Sequence, residues 1–129
     1  MRDDQMVSET IVGAHVVSTR ERPELLFEWV EVLHDAGPAQ MHRSTGAYAQ
    51  AAWRLRAGGE RFKPYARHDR MRIAANDPTL ADRVSQDLTT AGMRIDVATR
   101  FSVKVEGAWR VLDDAPGAAE AAVQVSTAW

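Results

Sequence analysis

The chain contains no cysteine among its 129 residues. This absence excludes disulfide bonds, thiolate zinc sites, iron–sulfur ligation and a cysteine nucleophile. Long hydrophobic runs are also missing, and the first ten residues carry three acidic side chains. The sequence therefore predicts neither a secretion signal nor a membrane anchor, so we expect a cytoplasmic protein with no membrane partner.

Positive and negative charges nearly balance over the whole chain, with a formal net charge of −2, but they are unevenly distributed along it. Residues 1–42 hold three Arg and eight acids, residues 43–72 hold eight Lys or Arg and two acids, and residues 73–129 hold five and eight. The 14 Arg against two Lys, together with abundant Ala, are typical of a GC-rich bacterial genome. The basic middle third is the main electrostatic feature.

Length and composition fit one domain, because 129 residues with 45% hydrophobic residues can close a single core. We expect one α+β domain over residues 1–129, with a flexible N-terminus at residues 1–9 and a C-terminal tail at residues 113–129. We expect the last residue of the tail, Trp129, to dock on the domain. The alternative is an exposed anchor for a partner's pocket.

Two stretches of the chain repeat one pattern, in which a proline precedes an amphipathic segment closed by Ala-Gly. In the first, Pro23 precedes Leu25 to Leu33, and in the second, Asp77 and Pro78 precede Leu80 to Leu88. Apolar residues in both segments step by three or four, and Asp77 is a suitable helix cap. The pattern predicts two helices, each packed by one face.

Period-two alternation predicts strands, most clearly at residues 93–105, where one face is apolar and the other polar. The resulting order predicts a ferredoxin-like fold: a split βαβ arrangement with two helices on one face of a mostly antiparallel sheet, plus a short C-terminal strand. Residues 47–57 alternate more weakly, and because the segment is rich in alanine, a helix is the competing prediction. A helix over residues 45–57 would instead favour a cone-shaped α+β fold, with that helix on a curved sheet.

The segments around the two prolines resemble ACT domains, which are small ligand-sensing modules. The matching stretches are Val16 to Leu26, Leu33 to Gly37, Asn76 to Leu80 and Thr90 to Gly92. The resemblance covers roughly residues 10–106. It implies the split ferredoxin-like fold and ligand binding at Arg20 to Leu25, although Glu24 stands where that family usually has glycine.

Catalytic groups are sparse in the sequence. The four histidines lack metal-ligand spacing, and no serine lies in a Gly-x-Ser-x-Gly elbow, so we expect no metal and no cofactor. An enzyme is therefore the alternative and not the leading prediction. It would be a small cofactor-independent isomerase, cyclase or hydrolase-like catalyst, with His15 or Asp96 as the base and Arg100 or Tyr48 stabilising an oxyanion.

The leading prediction is a non-catalytic binding or regulatory assembly module. It would recognise an anionic small molecule or an acidic protein surface through the sheet face that the helices leave open, and would associate with further copies of itself. That face is expected to carry His15, Arg54, Arg56, Arg70, Arg72, Arg94, Asp96, Arg100 and Lys104. The ligand-binding residues would be Arg54, Arg56, Arg70, Arg72 and Arg100.

Single-stranded nucleic-acid binding is a second alternative. In the basic middle third, cationic residues interleave with Trp53, Phe62 and Tyr65, which could stack on bases. The negative net charge and the missing RNA-recognition motif make this alternative less favoured.

Overall fold

Strands account for almost all regular structure in the computed structural model, which describes residues 7–37 and 40–127. The strands are β1 (Ser8–Ser18), β2 (Glu24–Asp35), β3 (Met41–Ala52), β4 (Phe62–Arg72), β5 (Gln86–Ala98), β6 (Phe101–Leu112) and β7 (Ala115–Thr127). A short 3-10 turn, Ala57–Glu60, lies between β3 and β4. Gly58 and Gly59 in this turn both have positive φ, a conformation that glycine adopts at little cost.

The seven strands form one sheet in chain order, and each is antiparallel to the next. Within the described residues, the outer edges of β1 and β7 pair with no other strand. The same part of the chain contains no helix that is long and apolar enough to cross a membrane.

The predicted α+β ferredoxin-like fold is wrong, because the described residues form no α-helix. The first predicted helix is β2. Its apolar residues fit both the period of a helix and that of a strand with apolar residues on both faces. Leu25 and Phe27 lie on one face of the strand, and Leu26 and Val30 lie on the other. Aromatic and β-branched residues favour the extended form, and β2 has a hydrogen-bonded neighbour on each side.

The second predicted helix is a loop, residues 73–85, followed by the start of β5. Asp77 does not begin a helix there, because its carboxylate accepts hydrogen bonds within the loop and from β2. The cone-shaped alternative is also wrong, since residues 45–52 lie in β3. The fold that the ACT-domain resemblance implied is wrong for the same reason.

The alternating segment at residues 93–105 is a hairpin, and not one continuous strand. The chain reverses at Thr99 and Arg100, between β5 and β6. Apolar residues on both strands keep to one face across this turn. The predicted tail is largely a full edge strand, β7, while residues 1–6 of the predicted flexible N-terminus and the predicted docking of Trp129 lie outside the described residues.

The sheet has two chemically different faces, because residues directly opposite each other on neighbouring strands project to the same side. We call the side that carries Phe27, Trp109 and Val123 the apolar face. The other side, which carries Lys63 and Arg94, is the polar face.

The sheet encloses almost no core. Ala36 and Ala52 are the only buried hydrophobic residues in the described part of the chain. The chain exposes 9448 Å², whereas a folded monomer of 14.3 kDa typically exposes roughly 6,800 Å². The difference arises because, among the described residues, the single sheet has no second layer packed over it.

Candidate functional site

Four cations lie side by side on the polar face, near the end of the sheet where β3 stops. Lys63 of β4 is opposite Arg94 of β5, which is opposite Lys104 of β6. Arg54 extends the row beyond β3, because the amides of Trp53 and Leu55 donate to the carbonyls of Pro64 and Phe62 on either side of Lys63. We call Arg54, Lys63, Arg94 and Lys104 the basic row.

The basic row borders a shallow depression of about 270 Å³ on the polar face. Three of its lining residues, Lys63, Arg94 and Lys104, are cationic, and one, Glu24, is acidic. Hydroxyl and amide side chains complete the lining, among them Gln50, Ser102, Gln124 and Ser126. The depression is therefore rich in hydrogen-bond donors, and among its lining residues cations outnumber acids.

Acidic residues flank the basic row. The Lys63 Nζ lies 2.6 Å from Glu24 Oε2, and the Arg94 Nε donates to Asp96 Oδ1 at 2.7 Å. Arg54 contacts two carboxylates, Glu21 Oε2 and Asp96 Oδ2, each at 2.7 Å. These hydrogen bonds, the one to Glu21 first, raise the pKa of the Arg54 guanidinium above its ordinary value.

A tyrosine joins the row at its β6 end. The Tyr65 hydroxyl donates to Glu106, and the Lys104 Nζ lies 2.9 Å from the same carboxylate and 4.8 Å from the centre of the Tyr65 ring. Hydrogen bonds from Tyr65 and then Lys104 lower the pKa of Glu106. Burial, followed by the hydrogen bond to Glu106, raises the pKa of Tyr65. The phenol therefore stays protonated at neutral pH and donates.

The five arginines predicted to bind a ligand do not lie together. Arg54 is on the polar face, whereas Arg70 and Arg72 lie on the opposite face and contact Asp87 at 3.8 and 2.6 Å. Arg56 lies beside the 3-10 turn, and Arg100 lies in the turn between β5 and β6. Only Arg54 of this set belongs to the basic row.

The four predicted catalytic residues fall into two separate pairs. His15 and Tyr48 flank Glu28 in one row across β1, β2 and β3 on the polar face. Asp96 lies at the opposite end of the sheet, where it accepts from Arg54 and Arg94, and Arg100 lies in the next turn. The structure therefore does not bring all four residues into one pocket, although Asp96 and Arg100 line the same depression of about 400 Å³.

Sequence reasoning placed Arg94 and Lys104 on the binding face but not among the ligand-binding residues, and it missed Lys63. Their alternation with apolar neighbours places Arg94 and Lys104 on a polar strand face. What the sequence lacks is the register between strands, which aligns the three side chains. Opposite residues in antiparallel strands are neighbours, so the site depends on pairing and not on spacing along the chain.

A second buried cluster ties the loop at residues 73–85 to the sheet. His34 and Asp77 are only 3% and 1% exposed. The His34 Nδ1 is 2.6 Å from Asp77 Oδ2, and its Nε2 is 2.7 Å from Glu9 Oε2. Thr79 donates to Asp77 through both its hydroxyl and its backbone amide. These contacts cover the polar face at the end opposite to the basic row.

The carboxylates of Glu9 and Asp77 favour the protonated form of His34. Hydrogen bonds to Glu9 and then Asp77 raise the pKa of His34. Burial opposes ionisation of Asp77, but hydrogen bonds from Thr79 and His34 outweigh it and lower the pKa of Asp77 to about 2. Within residues 7–37 and 40–127, no group of three His, Asp or Glu side chains is arranged to hold a metal ion.

Comparison of the chain with protein-family models, curated proteins and solved structures finds no match.

Proposed function

We propose that the protein is a non-catalytic binding module that holds an anionic small molecule on the polar face, in the depression beside the basic row. The observation that carries the proposal is the alignment of Lys63, Arg94 and Lys104 on three adjacent strands. Like charges directly opposite each other destabilise a sheet. The carboxylates of Glu24, Asp96 and Glu106 already offset part of that repulsion. An anion would bind the remaining hydrogen-bond donors of Arg94 and Lys104.

The surroundings of the basic row support the same ligand class. Arg94 and Lys104 keep 52% and 38% of their side-chain surface exposed, so an incoming anion can reach them. Ser102, Ser126 and Gln124 lie within the same lining and can donate further hydrogen bonds. The size of the depression suits a phosphate or carboxylate group on a small molecule.

Calorimetric titration with inorganic phosphate tests this proposal. We expect Arg94→Gln and Lys104→Gln each to weaken phosphate binding about tenfold, or about 1.4 kcal/mol. The matched control is Arg70→Gln, which removes an exposed cation from the opposite face and should leave the affinity unchanged. Wild-type protein that does not bind phosphate, or variants that bind it equally well, would contradict the proposal.

The other sequence-based predictions of function remain predictions. These are self-association, a cytoplasmic location, the cofactor-independent enzyme and single-stranded nucleic-acid binding. Salt dependence helps to separate the last from the leading proposal. Binding of a nucleic-acid strand should fall by roughly one power of salt concentration for each phosphate neutralised, a much steeper dependence than that of one small anion.

A further inference from the structure

The apolar face carries a broad band that lacks charge. From the row of Phe27 and Trp109 to Phe101, the residues that the register places on this face include no Lys, Arg, Asp or Glu. We call this region the apolar band. Its members at β6 and β7 are among the most exposed apolar side chains of the described chain, with Val123 70% and Trp109 51% exposed.

The apolar band has defined borders. Charged residues reappear on the same face immediately beyond it, at Arg70, Arg72 and Asp87. Large aromatic residues lie near both borders: Phe27, Trp29 and Trp109 towards one end of the sheet, and Trp53, Phe62 and Phe101 towards the other. Along β6, the nine residues from Phe101 to Trp109 correspond to about 27 Å at the usual rise of an antiparallel strand.

The length of the apolar band is close to the thickness of the hydrocarbon core of a bilayer. The apolar core of a bilayer is about 30 Å thick, and Trp residues are enriched at its two interfaces. A soluble monomer rarely exposes a contiguous apolar patch of more than a few hundred Å². Here the patch crosses seven strands, a width of about 30 Å at the usual strand spacing.

The shape of the apolar band argues against a second copy of the chain as its cover. From β3 to β7, a row of small residues crosses the middle of the band, namely Ala51, Ala66, Ala91, Gly107 and Ala121. Two sheets that pack face to face need large side chains that interdigitate. The small-residue row instead leaves an open apolar depression of about 590 Å³, bordered by Leu25 and Phe27.

The geometry points to lipid acyl chains as the occupant of the apolar band. Fluid chains can follow a flat surface of small side chains without leaving voids, and the band carries no Lys, Arg, Asp or Glu for them to desolvate. Its main polar side chains, His68 and Thr89, lie in the border row and bond to each other. In hydrocarbon, unpaired backbone groups are costly, so the outer edges of β1 and β7 must also be paired in that environment. This inference concerns the face opposite to the basic row and does not depend on anion binding there.

Fluorescence quenching by brominated acyl chains tests the inference. Wild-type protein is mixed with neutral phosphatidylcholine vesicles whose chains are either brominated or not. Neutral lipid is used so that the basic row cannot cause binding by attraction to headgroups. Trp29, Trp53 and Trp109 all lie on the apolar face, so we expect their emission in brominated vesicles to be about half of that in unbrominated vesicles.

Two neighbouring positions on β7 provide a matched pair of variants. In a background where every Trp is replaced by Phe, Val123→Trp places one fluorophore on the apolar face and Gln124→Trp places it on the polar face. We expect strong quenching only for Val123→Trp. The wild-type measurement keeps the test valid if the multiple replacement prevents folding.

Three outcomes would overturn the inference. The first is wild-type protein that does not float with the vesicles and shows no quenching. The second is equal quenching at positions 123 and 124. The third is a dimer in sedimentation equilibrium without lipid in which the Val123→Trp fluorophore is already shielded from a soluble quencher, because a second copy would then cover the apolar band.

Discussion

The two faces of the sheet are stabilised by opposite means. On the polar face, ion pairs and hydrogen bonds connect neighbouring strands, as in the contacts of Arg54 with Glu21 and Asp96. On the apolar face, exposed residues such as Val123 have no layer packed over them within the described chain. The polar face is thus largely complete by itself, whereas the apolar face depends on what surrounds the protein.

Lysine substitution on β7 gives the largest expected effect, because it acts differently on the two faces. In lipid, Val123→Lys should destabilise the protein by about 3 kcal/mol, since a charge would enter the apolar band. In water the same change should be nearly neutral or reduce aggregation, because Lys on an edge strand opposes edge-to-edge pairing.

The control for this prediction is Gln124→Lys, which adds the same charge to the polar face one residue away. Its stability in lipid should match that of the wild type. Urea unfolding followed by tryptophan fluorescence, with and without phosphatidylcholine vesicles, measures both variants. If Val123→Lys and Gln124→Lys have equal unfolding midpoints in lipid, the two faces do not differ in their surroundings.

Glycine substitution tests the polar face, with an effect of intermediate size. A Cβ added at Gly92 would lie 2.5 Å from the Tyr65 hydroxyl and 2.7 Å from the Val105 carbonyl oxygen. The clash should displace Tyr65 from Glu106, so we expect Gly92→Ala to destabilise the fold by about 2 kcal/mol.

The control for Gly92 is another glycine on the polar face. A Cβ at Gly46 would meet no atom within 4 Å. Gly46→Ala should therefore be neutral or slightly stabilising, because alanine has less conformational freedom to lose on folding. Thermal unfolding of the two variants distinguishes a well-packed polar face from a loose one, in which both substitutions would be tolerated.

The sequence predicted the alternation of the sheet better than its architecture. The alternation at residues 93–105 correctly separated Met93 and Val105 from Arg94 and Lys104. It could not reveal the hairpin, because the register shift between Asp96 and Ala98 restores the phase that a two-residue reversal would otherwise invert. In β2, steps of three and four along Leu26, Trp29 and Leu33 fit a helix and a two-sided strand equally well, and strand partners decided the outcome.

The candidate site was harder to predict because it depends on register. Lys63 and Lys104 are far apart in sequence, and pairing through β5 makes them neighbours. The expectation that no membrane partner exists rested on continuous hydrophobic runs. An amphipathic strand has no such run, since every second residue is polar, so that criterion does not detect a face like the apolar band.

The loop at residues 73–85 is the exception to the division between the faces, because it covers part of the polar face from outside the sheet. His34 holds this loop, and the charged or titratable groups around it come from three elements: Glu9 of β1, His42 of β3 and Asp77 of the loop. The sheet itself does not require these contacts, so their loss should have the smallest effect on global stability.

A pH series therefore provides the last prediction, an effect confined to the loop. The raised pKa of His34 means that its contribution is complete below its ordinary value of 6.5 and is lost as pH rises through the higher folded-state value. The lowered pKa of Asp77 means that its contribution is complete above 3.8 and is lost as pH falls towards about 2. Hydrogen exchange in residues 73–85, corrected for intrinsic rates, should be slowest between these two limits. His34→Gln should remove the alkaline increase in exchange, whereas replacement of the exposed His15 by Gln should not. An alkaline increase that persists in His34→Gln would show that another group holds the loop.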